Sequence, residues 1–207
     1  MKLYGLIGYP LGHSFSKQYF TEKFIREQIT DCSFELFPIS HIDRIGNLIK
    51  SETNLQGLAV TIPYKEAVLP FLYKIDPVAE AVGAVNCIRI IEGKCYGYNT
   101  DSTGFEQSLS PLLKASHPKA LVLGSGGSSK AVQYVLTKKG IEFLIVTSSD
   151  KHTGKYIQYR QISEALLQEY PVIINCTPVG MSPNVHEYPQ LPYEFLSEKN
   201  LLFDLIY

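Results

Sequence analysis

The first hundred residues contain short apolar segments in which hydrophobic positions alternate with polar ones or recur with helical spacing. Strands are predicted at residues 2–8, 33–37, 55–62, 84–91 and 95–99, and Gly93 lies in the turn between the last two, which form a hairpin. Helices are predicted from the turn at residues 8–16 to about residue 29, over 42–49, at 66–73 and at 77–82. Because strands and helices alternate, this segment is predicted to form an α/β domain with a mainly parallel, mixed sheet.

The second half repeats the alternation in a more regular βαβ order. Strands are predicted at residues 120–123, 142–147, 172–175 and 201–205, and helices at 103–113, 128–139 and 163–170. We therefore place a domain boundary near Asp101–Thr103, which gives two α/β domains over residues 1–101 and 102–207. A cleft between two such domains is a common place for a ligand.

A turn rich in glycine and serine follows the first strand of the second domain and opens a helix. The residues of this turn that we predict to bind a cofactor are Gly124, Ser125, Gly126, Gly127, Ser128, Ser129 and Lys130. Glycines let the backbone turn tightly and approach a pyrophosphate, and N–H groups at a helix start point toward that anion. Ser129 replaces the third glycine of the usual dinucleotide-binding pattern, so a βα turn without a ligand is the alternative.

The composition is that of a globular protein with an ordinary core. The 207 residues are 45% hydrophobic and 19% charged, and a net charge of −1 gives no reason to expect nucleic acid or an anionic membrane as partner. No apolar run approaches the length of a membrane span, and the N-terminus lacks a signal-peptide pattern, so we expect a cytoplasmic protein. The four cysteines and five histidines lack metal-ligand spacing, and we predict no metal site.

Polar side chains of the first domain follow strand ends, where open α/β sheets bind ligands. Ser14 and Ser16 precede a helix, and both hydroxyls can donate to one carboxylate near its positive end; a helix N-cap is the alternative. Lys65 follows another strand, although a lysine there is more often a solvated surface residue. Asn86 and Asp101 flank the predicted hairpin and would face one cleft, while Asp101 would equally serve as an N-cap.

These groups, taken with a nucleotide-binding turn, match the requirements of carbonyl reduction. The reaction needs a hydride from a nicotinamide and a proton for the oxygen on which negative charge develops. The ammonium of Lys65 would supply the charge and the proton, and a neighbouring carboxylate would hold it in place. Ser14 and Ser16 would bind a carboxylate of the substrate. The residues therefore predict reversible oxidation of a small polyhydroxy acid.

Seven motifs, taken together and in order, resemble those of the shikimate dehydrogenase family. They are GYPLGHSFS at 8–16, VTIPYK at 60–65, GAVN at 83–86, NTDSTG at 99–104, GSGGSSKA at 124–131, NCTPVGM at 175–181 and DLIY at 204–207. The resemblance implies a substrate-binding domain, a Rossmann-like NADP-binding domain and a cleft between them. It also implies NADPH-dependent reduction of 3-dehydroshikimate to shikimate, on the route to chorismate and the aromatic amino acids.

The resemblance assigns a role to each residue that matches a family motif. Ser14 and Ser16 would bind the substrate carboxylate, and Lys65 would be the acid/base, paired with Asp101. The substrate hydroxyls would be held by Thr61, Asn86 and Asp101, with Tyr207 near the substrate. The cofactor cleft would be lined by Asn175, Thr177, Pro178 and Ile206, with Ile206 near the nicotinamide.

The sequence departs from the family pattern at the end of the second strand of the nucleotide-binding domain. Family members commonly have an arginine there that binds the 2′-phosphate of NADP, and residues 147–152 contain none. An NAD-selective site would place an acidic residue at the strand end, whereas this chain has Thr147, Ser148 and Ser149. Hydrogen bonds and charge from Ser148, Ser149, Lys151 and Lys130 would still bind a phosphate, so we expect NADP, with NAD as the alternative. Ala59 replaces a frequent asparagine, which removes one polar contact near the substrate.

The resemblance ends at Tyr207, whereas family members continue for a few tens of residues that bring a substrate-binding glutamine and part of the nicotinamide pocket. We therefore expect weak activity or none from the 207-residue form. Two other functions are considered: a paralogous dehydrogenase acting on quinate or another hydroxy acid, and a non-catalytic nucleotide-binding module. The presence of both Lys65 and Asp101 favours an enzyme, because a binding module needs neither. The oligomeric state stays open between a monomer and a homodimer.

Overall fold

A computed structural model describes residues 1–12, 14–148 and 154–206 of the chain. The chain divides into two compact units, Met1–Thr100 and Asp101–Tyr207. The division falls one residue before the end of the predicted first domain. Among the described residues, no helix is both long enough and apolar enough to cross a bilayer.

The first unit is built on one mixed sheet. Its strands are β1 (Lys2–Gly8), β2 (Cys32–Pro38), β3 (Leu55–Val60), β4 (Lys74–Ile75), β5 (Cys87–Ile91) and β6 (Lys94–Tyr98). Its helices are α1 (Ser16–Arg26), α2 (Ile45–Ser51), α3 (Tyr64–Ala67) and α4 (Pro77–Val82), with 3-10 turns at Ile42–Arg44 and Leu69–Phe71. The strand order is β2-β1-β3-β5-β6-β4. β1 is parallel to β2 and β3, and β5 is antiparallel to β3 and β6.

Apolar side chains on both faces of this sheet form its core. On one face Ile7, Val68 and Val85 are completely buried with the helices that follow β3. On the other face Phe20 of α1 stacks on Phe34 of β2, with ring centroids 4.4 Å apart. The alternation of inward and outward residues along the strands produces these two layers.

The second unit carries an all-parallel sheet. After α5 (Asp101–Leu109) and a 3-10 turn at Ser110–Leu112 come β7 (Lys119–Leu123), α6 (Gly127–Lys138), β8 (Glu142–Val146), β9 (Tyr156–Ile157), α7 (Glu164–Glu169), β10 (Val172–Asn175) and β11 (Leu201–Asp204). Further 3-10 turns lie at Tyr159–Gln161 and Tyr193–Phe195. The strand order is β11-β10-β7-β8-β9. Both faces are covered by apolar clusters, and the order is that of a Rossmann-like domain.

The predicted α/β class with one mixed and one Rossmann-like sheet is confirmed, and several element bounds are corrected. The helix predicted at 66–73 is α3 followed by a 3-10 turn, because Pro70 cannot continue an α-helix. The helix predicted at 103–113 begins at Asp101 and ends at Leu109, shortly before Pro111. β4 and β9 were not predicted, since two residues are too few to show alternation.

Candidate active site

The carboxyl ends of β1 and β3 bring the first two polar loops together. The N–H of Thr61 donates to the carbonyl of Ile7 at 3.0 Å, and the N–H of Tyr9 donates to the carbonyl of Ile62 at 3.0 Å. A Cβ on Gly8 would lie only 2.5 Å from Cγ2 of Thr61, so the close approach depends on this glycine. The loops after β1 and β3 therefore lie against each other at one edge of the sheet.

The serine loop leads directly into α1. The N–H of Ser14 donates to the carbonyl of Leu11 at 3.0 Å, and the N–H of Ser16 lies 3.4 Å from Oγ of Ser14. Phe15 occupies the N-cap position, and Ser16 is the first helical residue. Neither serine is therefore the N-cap residue, and both side chains are partly exposed at the positive end of an eleven-residue helix.

Lys65 is held on the next loop by its backbone. Its carbonyl accepts from the N–H of Val85 at 2.7 Å, which ties α3 to the segment before β5. The preceding Tyr64 is buried, and its hydroxyl donates to the carbonyl of Ile39 at 2.6 Å. The Lys65 side chain is half-buried, in contrast to the solvated surface lysine of the alternative interpretation.

Asn86 and Thr100 form a reciprocal pair at the same edge. The carbonyl of Asn86 accepts from the N–H of Val60 at 2.8 Å, which places Asn86 beside the end of β3. Its Nδ2 donates to Oγ1 of Thr100 at 2.9 Å, and its Oδ1 accepts from the N–H of Thr100 at 2.8 Å. Asp101 follows Thr100 and opens the first turn of α5. Thr100 was missed by the sequence reasoning, although it lies inside the NTDSTG motif.

Burial governs the ionisation of two groups next to these residues. Burial raises the pKa of the Cys87 thiol, which follows Asn86, and burial also raises the pKa of the Tyr64 hydroxyl. Both groups are neutral at pH 7. Neither is suited to act as an anionic nucleophile beside Lys65.

The glycine turn of the second unit lies at the point where the strand order reverses. β7 is flanked by β8 on one side and β10 on the other, and ligands of α/β sheets bind at such a point. Gly124 has a φ of 98°, and a Cβ there would lie 3.0 Å from Cγ2 of Thr177. Gly126 occupies the N-cap of α6 and has no side chain to cap it. The positive end of a twelve-residue helix thus lies at this turn, where an anion is favoured.

Ser129 lies in this turn but faces the interior. It is completely buried, and its Oγ accepts from Nε2 of Gln133 at 2.9 Å. A small residue at this position permits close packing of helix on strand, the role of the third glycine in the usual pattern. Ser125, Ser128 and Lys130 are partly exposed.

The residues predicted for the ribose end lie just after β8. Thr147 is buried, and its N–H donates to the carbonyl of Ile157 at 2.9 Å, whereas Ser148 is exposed. Ser149, also predicted to bind the cofactor, lies outside the described residues, as does Tyr207, which was predicted to lie near the substrate.

Asn175 at the end of β10 connects the two segments that follow β10 and β11. Its Nδ2 donates to Oδ1 of Asp204 at 3.1 Å, and its Oδ1 accepts from Oγ1 and N–H of Thr177 at 2.6 and 3.0 Å. Oδ1 of Asp204 also accepts from the N–H of Ile206 at 2.9 Å. The Asn175 side-chain amide thus forms its hydrogen bonds within the second unit. It positions Thr177 directly and Ile206 through Asp204. Pro178 is exposed directly after Thr177.

Comparison with known proteins gives one family. A model described as the shikimate dehydrogenase substrate binding domain matches residues 6–88. A shikimate dehydrogenase (NADP(+)) of Carboxydothermus hydrogenoformans is 35% identical over 222 residues, which cover 100% of this chain and 78% of that protein. The chain belongs to the shikimate dehydrogenase family.

Solved shikimate dehydrogenases share the fold over the whole chain. The enzyme from Aquifex aeolicus has a TM-score of 0.84 at 30% identity, with 100% of this chain and 79% of that chain covered. Shikimate 5-dehydrogenase from Thermus thermophilus, solved in complex with NADP(H) and shikimate, has a TM-score of 0.82 at 26% identity, with the same coverage. The resemblance inferred from the seven motifs is confirmed.

The residues matched by the substrate-domain model include the polar residues that follow the strands of the first unit. Its range, residues 6–88, contains Ser14, Ser16, Thr61, Lys65 and Asn86. A separate groove of about 920 Å³ lies in the first unit beside Phe20, Phe24 and Ala59, and the described residues that line it include none of those five. Its lining is mainly apolar, which does not suit a polyhydroxy acid.

Proposed function

We propose that this protein is a shikimate dehydrogenase that interconverts 3-dehydroshikimate and shikimate with NADP(H). The observation that carries the proposal is the shared sheet edge of the first unit, where hydroxyl, amide and ammonium groups follow neighbouring strands in a chain of this family. A binding module for a nucleotide alone has no use for those groups. The reaction is an oxidation of a CH–OH group and belongs to the synthesis of aromatic amino acids.

In this proposal the substrate is recognised mainly by residues of the first unit, together with Asp101 and Tyr207 of the second. Ser14 and Ser16 donate hydrogen bonds to the carboxylate, helped by the positive end of α1. Thr61, Asn86 and Asp101 bind the ring hydroxyls, and Tyr207 completes the substrate contacts. The pair formed by Asn86 and Thr100 fixes the amide of Asn86 before the substrate arrives, so little ordering entropy is lost on binding.

Lys65 and Asp101 carry the proton chemistry. NADPH supplies the hydride to the carbonyl carbon when bound. The Lys65 ammonium would donate a proton to the carbonyl oxygen as negative charge develops there, and in the reverse direction the neutral Lys65 amine would accept the proton of the hydroxyl. Asp101 holds the ammonium by charge and hydrogen-bonds a neighbouring hydroxyl. Asp101 follows Thr100 directly and is the first residue of α5. The hydrogen bonds between Asn86 and Thr100 therefore also help to fix the backbone position of Asp101.

The second unit would hold the cofactor. Residues of the glycine turn, from Gly124 to Lys130, cradle the pyrophosphate at the start of α6, and Thr147, Ser148 and Ser149 lie at the ribose. Thr177, Pro178 and Ile206 line the nicotinamide side. Asn175 acts there as a positioning residue, because its amide bonds to Thr177 and Asp204.

The test is a spectrophotometric assay at 340 nm with shikimate and either NADP or NAD. We expect NADP-dependent oxidation of shikimate, and oxidation of quinate slower by at least about tenfold, since a pocket built around given hydroxyls discriminates strongly. An enzyme that oxidises quinate faster than shikimate, or a protein that neither oxidises shikimate with either cofactor nor binds it by calorimetry, contradicts the proposal.

Replacing Lys65 separates catalysis from binding. We expect Lys65→Ala to reduce kcat by about 10³-fold or more, within the range for loss of a positioned acid/base, while shikimate still binds by calorimetry. Lys50→Ala is the matched control, because Lys50 is an exposed lysine in the last turn of α2. Turnover that survives in Lys65→Ala would show that another group transfers the proton.

A further inference from the structure

The residue that distinguishes NADP from NAD has to meet one additional phosphate on the adenosine ribose. That phosphate carries most of two negative charges at neutral pH, and an arginine near the end of the second strand is a common partner. In this chain the described residues at that position, Thr147 and Ser148, are neutral. Among the residues that the structure describes, a cation that pairs with this phosphate therefore comes from another element.

The short strand β9 supplies a candidate because of its register. β9 runs parallel to β8, with Val146 opposite Ile157, and the N–H of Thr147 donates to the carbonyl of Ile157 at 2.9 Å. The carboxyl ends of β8 and β9 therefore lie side by side at the edge of the sheet where the cofactor would bind. The segment that follows β9 begins next to Thr147 and Ser148.

That segment is a fixed turn and not a free loop. Gln158 is the N-cap of the 3-10 turn Tyr159–Gln161, and its N–H donates to Oε1 of Gln161 at 2.8 Å in a reciprocal capping box. Tyr159 packs into the apolar cluster under the sheet, with Ile157 and Leu191. Arg160 follows Tyr159 and is exposed.

Arg160 lies within reach of the ribose end. A 3-10 turn rises by about 2.0 Å per residue, so Arg160 begins roughly 6 Å beyond Ile157, and neighbouring strands are about 4.8 Å apart. An extended arginine side chain spans a distance of that order. Within residues 1–12, 14–148 and 154–206, its guanidinium has no hydrogen-bond or ion-pair partner. Lys155, at the opposite end of β9, places its ammonium 4.3 Å from the centre of the Phe143 ring.

We infer that Arg160 binds the 2′-phosphate of NADP and makes the site selective for NADP over NAD, an inference that rests on the proposed function. The guanidinium forms two parallel hydrogen bonds with phosphate oxygens, and Ser148 contributes a hydroxyl from the neighbouring strand end. The arginine that the second strand lacks is thus supplied from the end of the third strand in sequence, β9.

The kinetic test compares both cofactors in three variants. We expect Arg160→Ala to lower kcat/KM for NADP by about 10- to 100-fold, the range for charge-assisted hydrogen bonds, and to change kcat/KM for NAD by less than about threefold. Arg160→Lys should fall between wild type and Arg160→Ala, because lysine keeps the charge without the fork. Arg26→Ala, at an exposed arginine of α1 in the first unit, should leave both values unchanged.

A binding experiment tests the inference without turnover. Calorimetry with adenosine 2′,5′-bisphosphate and with adenosine 5′-monophosphate should show that wild type prefers the bisphosphate and that Arg160→Ala loses this preference. Equal loss for both nucleotides, an unchanged preference in Arg160→Ala, or a wild type that prefers NAD overturns the assignment. A wild type that neither oxidises nor binds shikimate but still prefers the bisphosphate through Arg160 would instead overturn the proposed dehydrogenase function and leave this inference intact. Circular dichroism melts confirm that each variant is folded.

Discussion

At the scale of single residues, the pair formed by Asn86 and Thr100 gives a direct prediction. Thr100→Val removes the hydroxyl that accepts from Nδ2 of Asn86, while the backbone N–H still holds Oδ1. The loss of a hydrogen bond worth about 1 kcal/mol changes a binding constant by roughly fivefold. We therefore expect KM for shikimate to rise by about 3- to 10-fold. KM for NADP and the thermal stability should change little.

Two variants show whether the hydroxyl is responsible for that effect. Thr100→Ser keeps the hydroxyl and should restore KM for shikimate, and Thr30→Val, at an exposed threonine in the first unit, should behave as wild type. If Thr100→Ser is as impaired as Thr100→Val, the effect comes from packing of the methyl group and the positioning role is wrong.

Asp204 gives a second prediction at this scale. Asp204→Ala removes the acceptor for Nδ2 of Asn175 and for the N–H of Ile206, so we expect a stability loss of about 1–2 kcal/mol and a higher KM for NADP, with KM for shikimate less affected. Asp204→Asn keeps an acceptor oxygen and should recover most of the loss. Asp31→Ala removes an exposed ion pair with Lys2 and an acceptor for the Cys32 thiol, and should lower stability in urea melts less than Asp204→Ala does. A larger rise in KM for shikimate than for NADP would contradict the role of Asp204.

These residues show what the sequence can and cannot provide at this scale. The position of Ser14, Ser16 and Lys65 in the segments after β1 and β3 could be predicted, because their motifs follow strands that are visible in the sequence, while their roles stay predictions. Thr100 and Asp204 also lie inside motifs, but their contacts depend on the register between neighbouring strands, which no local sequence pattern indicates. Arg160 could not be placed from the sequence either, because the strand that precedes it, β9, was not predicted.

At the scale of elements, two glycines in the turn between β7 and α6 are expected to have different roles, one in folding and one in ligand binding. Gly124 has a positive φ, and an added Cβ would lie 3.0 Å from the Thr177 side chain and 3.3 Å from the carbonyl oxygen of Cys176. Gly126 has a φ of −81°, and an added Cβ there meets nothing within 4 Å. We expect Gly124→Ala to lose about 1–3 kcal/mol of stability in urea melts, a cost typical of strained backbone.

The neighbouring substitution is the control for that expectation. Gly126→Ala should keep the wild-type stability and yet bind NADP more weakly, because the second glycine of such a turn lets the backbone approach the pyrophosphate. A Gly126→Ala variant with wild-type affinity would mean that no phosphate approaches this turn closely.

The elements with strong periodicity were predicted with nearly correct bounds, as β10 and α4 illustrate. Asp76 caps α4 by accepting from the N–H of Val78 at 2.9 Å, Pro77 opens the helix, and Gly83 ends it in the left-handed conformation. Such end signals are local and can be predicted from sequence. The start of α5 was predicted two residues late, because Asp101 was interpreted as a site residue or an N-cap, whereas it is the first residue of the helix.

At the scale of the whole molecule, each unit has its own apolar clusters. Each ligand should therefore slow amide hydrogen exchange mainly in the unit that binds it. We expect NADP to slow hydrogen exchange mainly over residues 119–147 and 172–177, and shikimate to slow it mainly over 6–12, 58–65 and 86–100. At 100 times its Kd, a ligand stabilises the state that binds it by about 2.7 kcal/mol, which limits the slowing to roughly 100-fold. Exchange of the α2 amides should be unchanged by NADP, so these amides serve as the internal reference.

The measurement is hydrogen exchange followed by mass spectrometry with each ligand alone. Shikimate protecting β7 more than β1 would contradict the assignment of substrate to the first unit, and NADP protecting β1 more than β7 would contradict the assignment of the cofactor to the second.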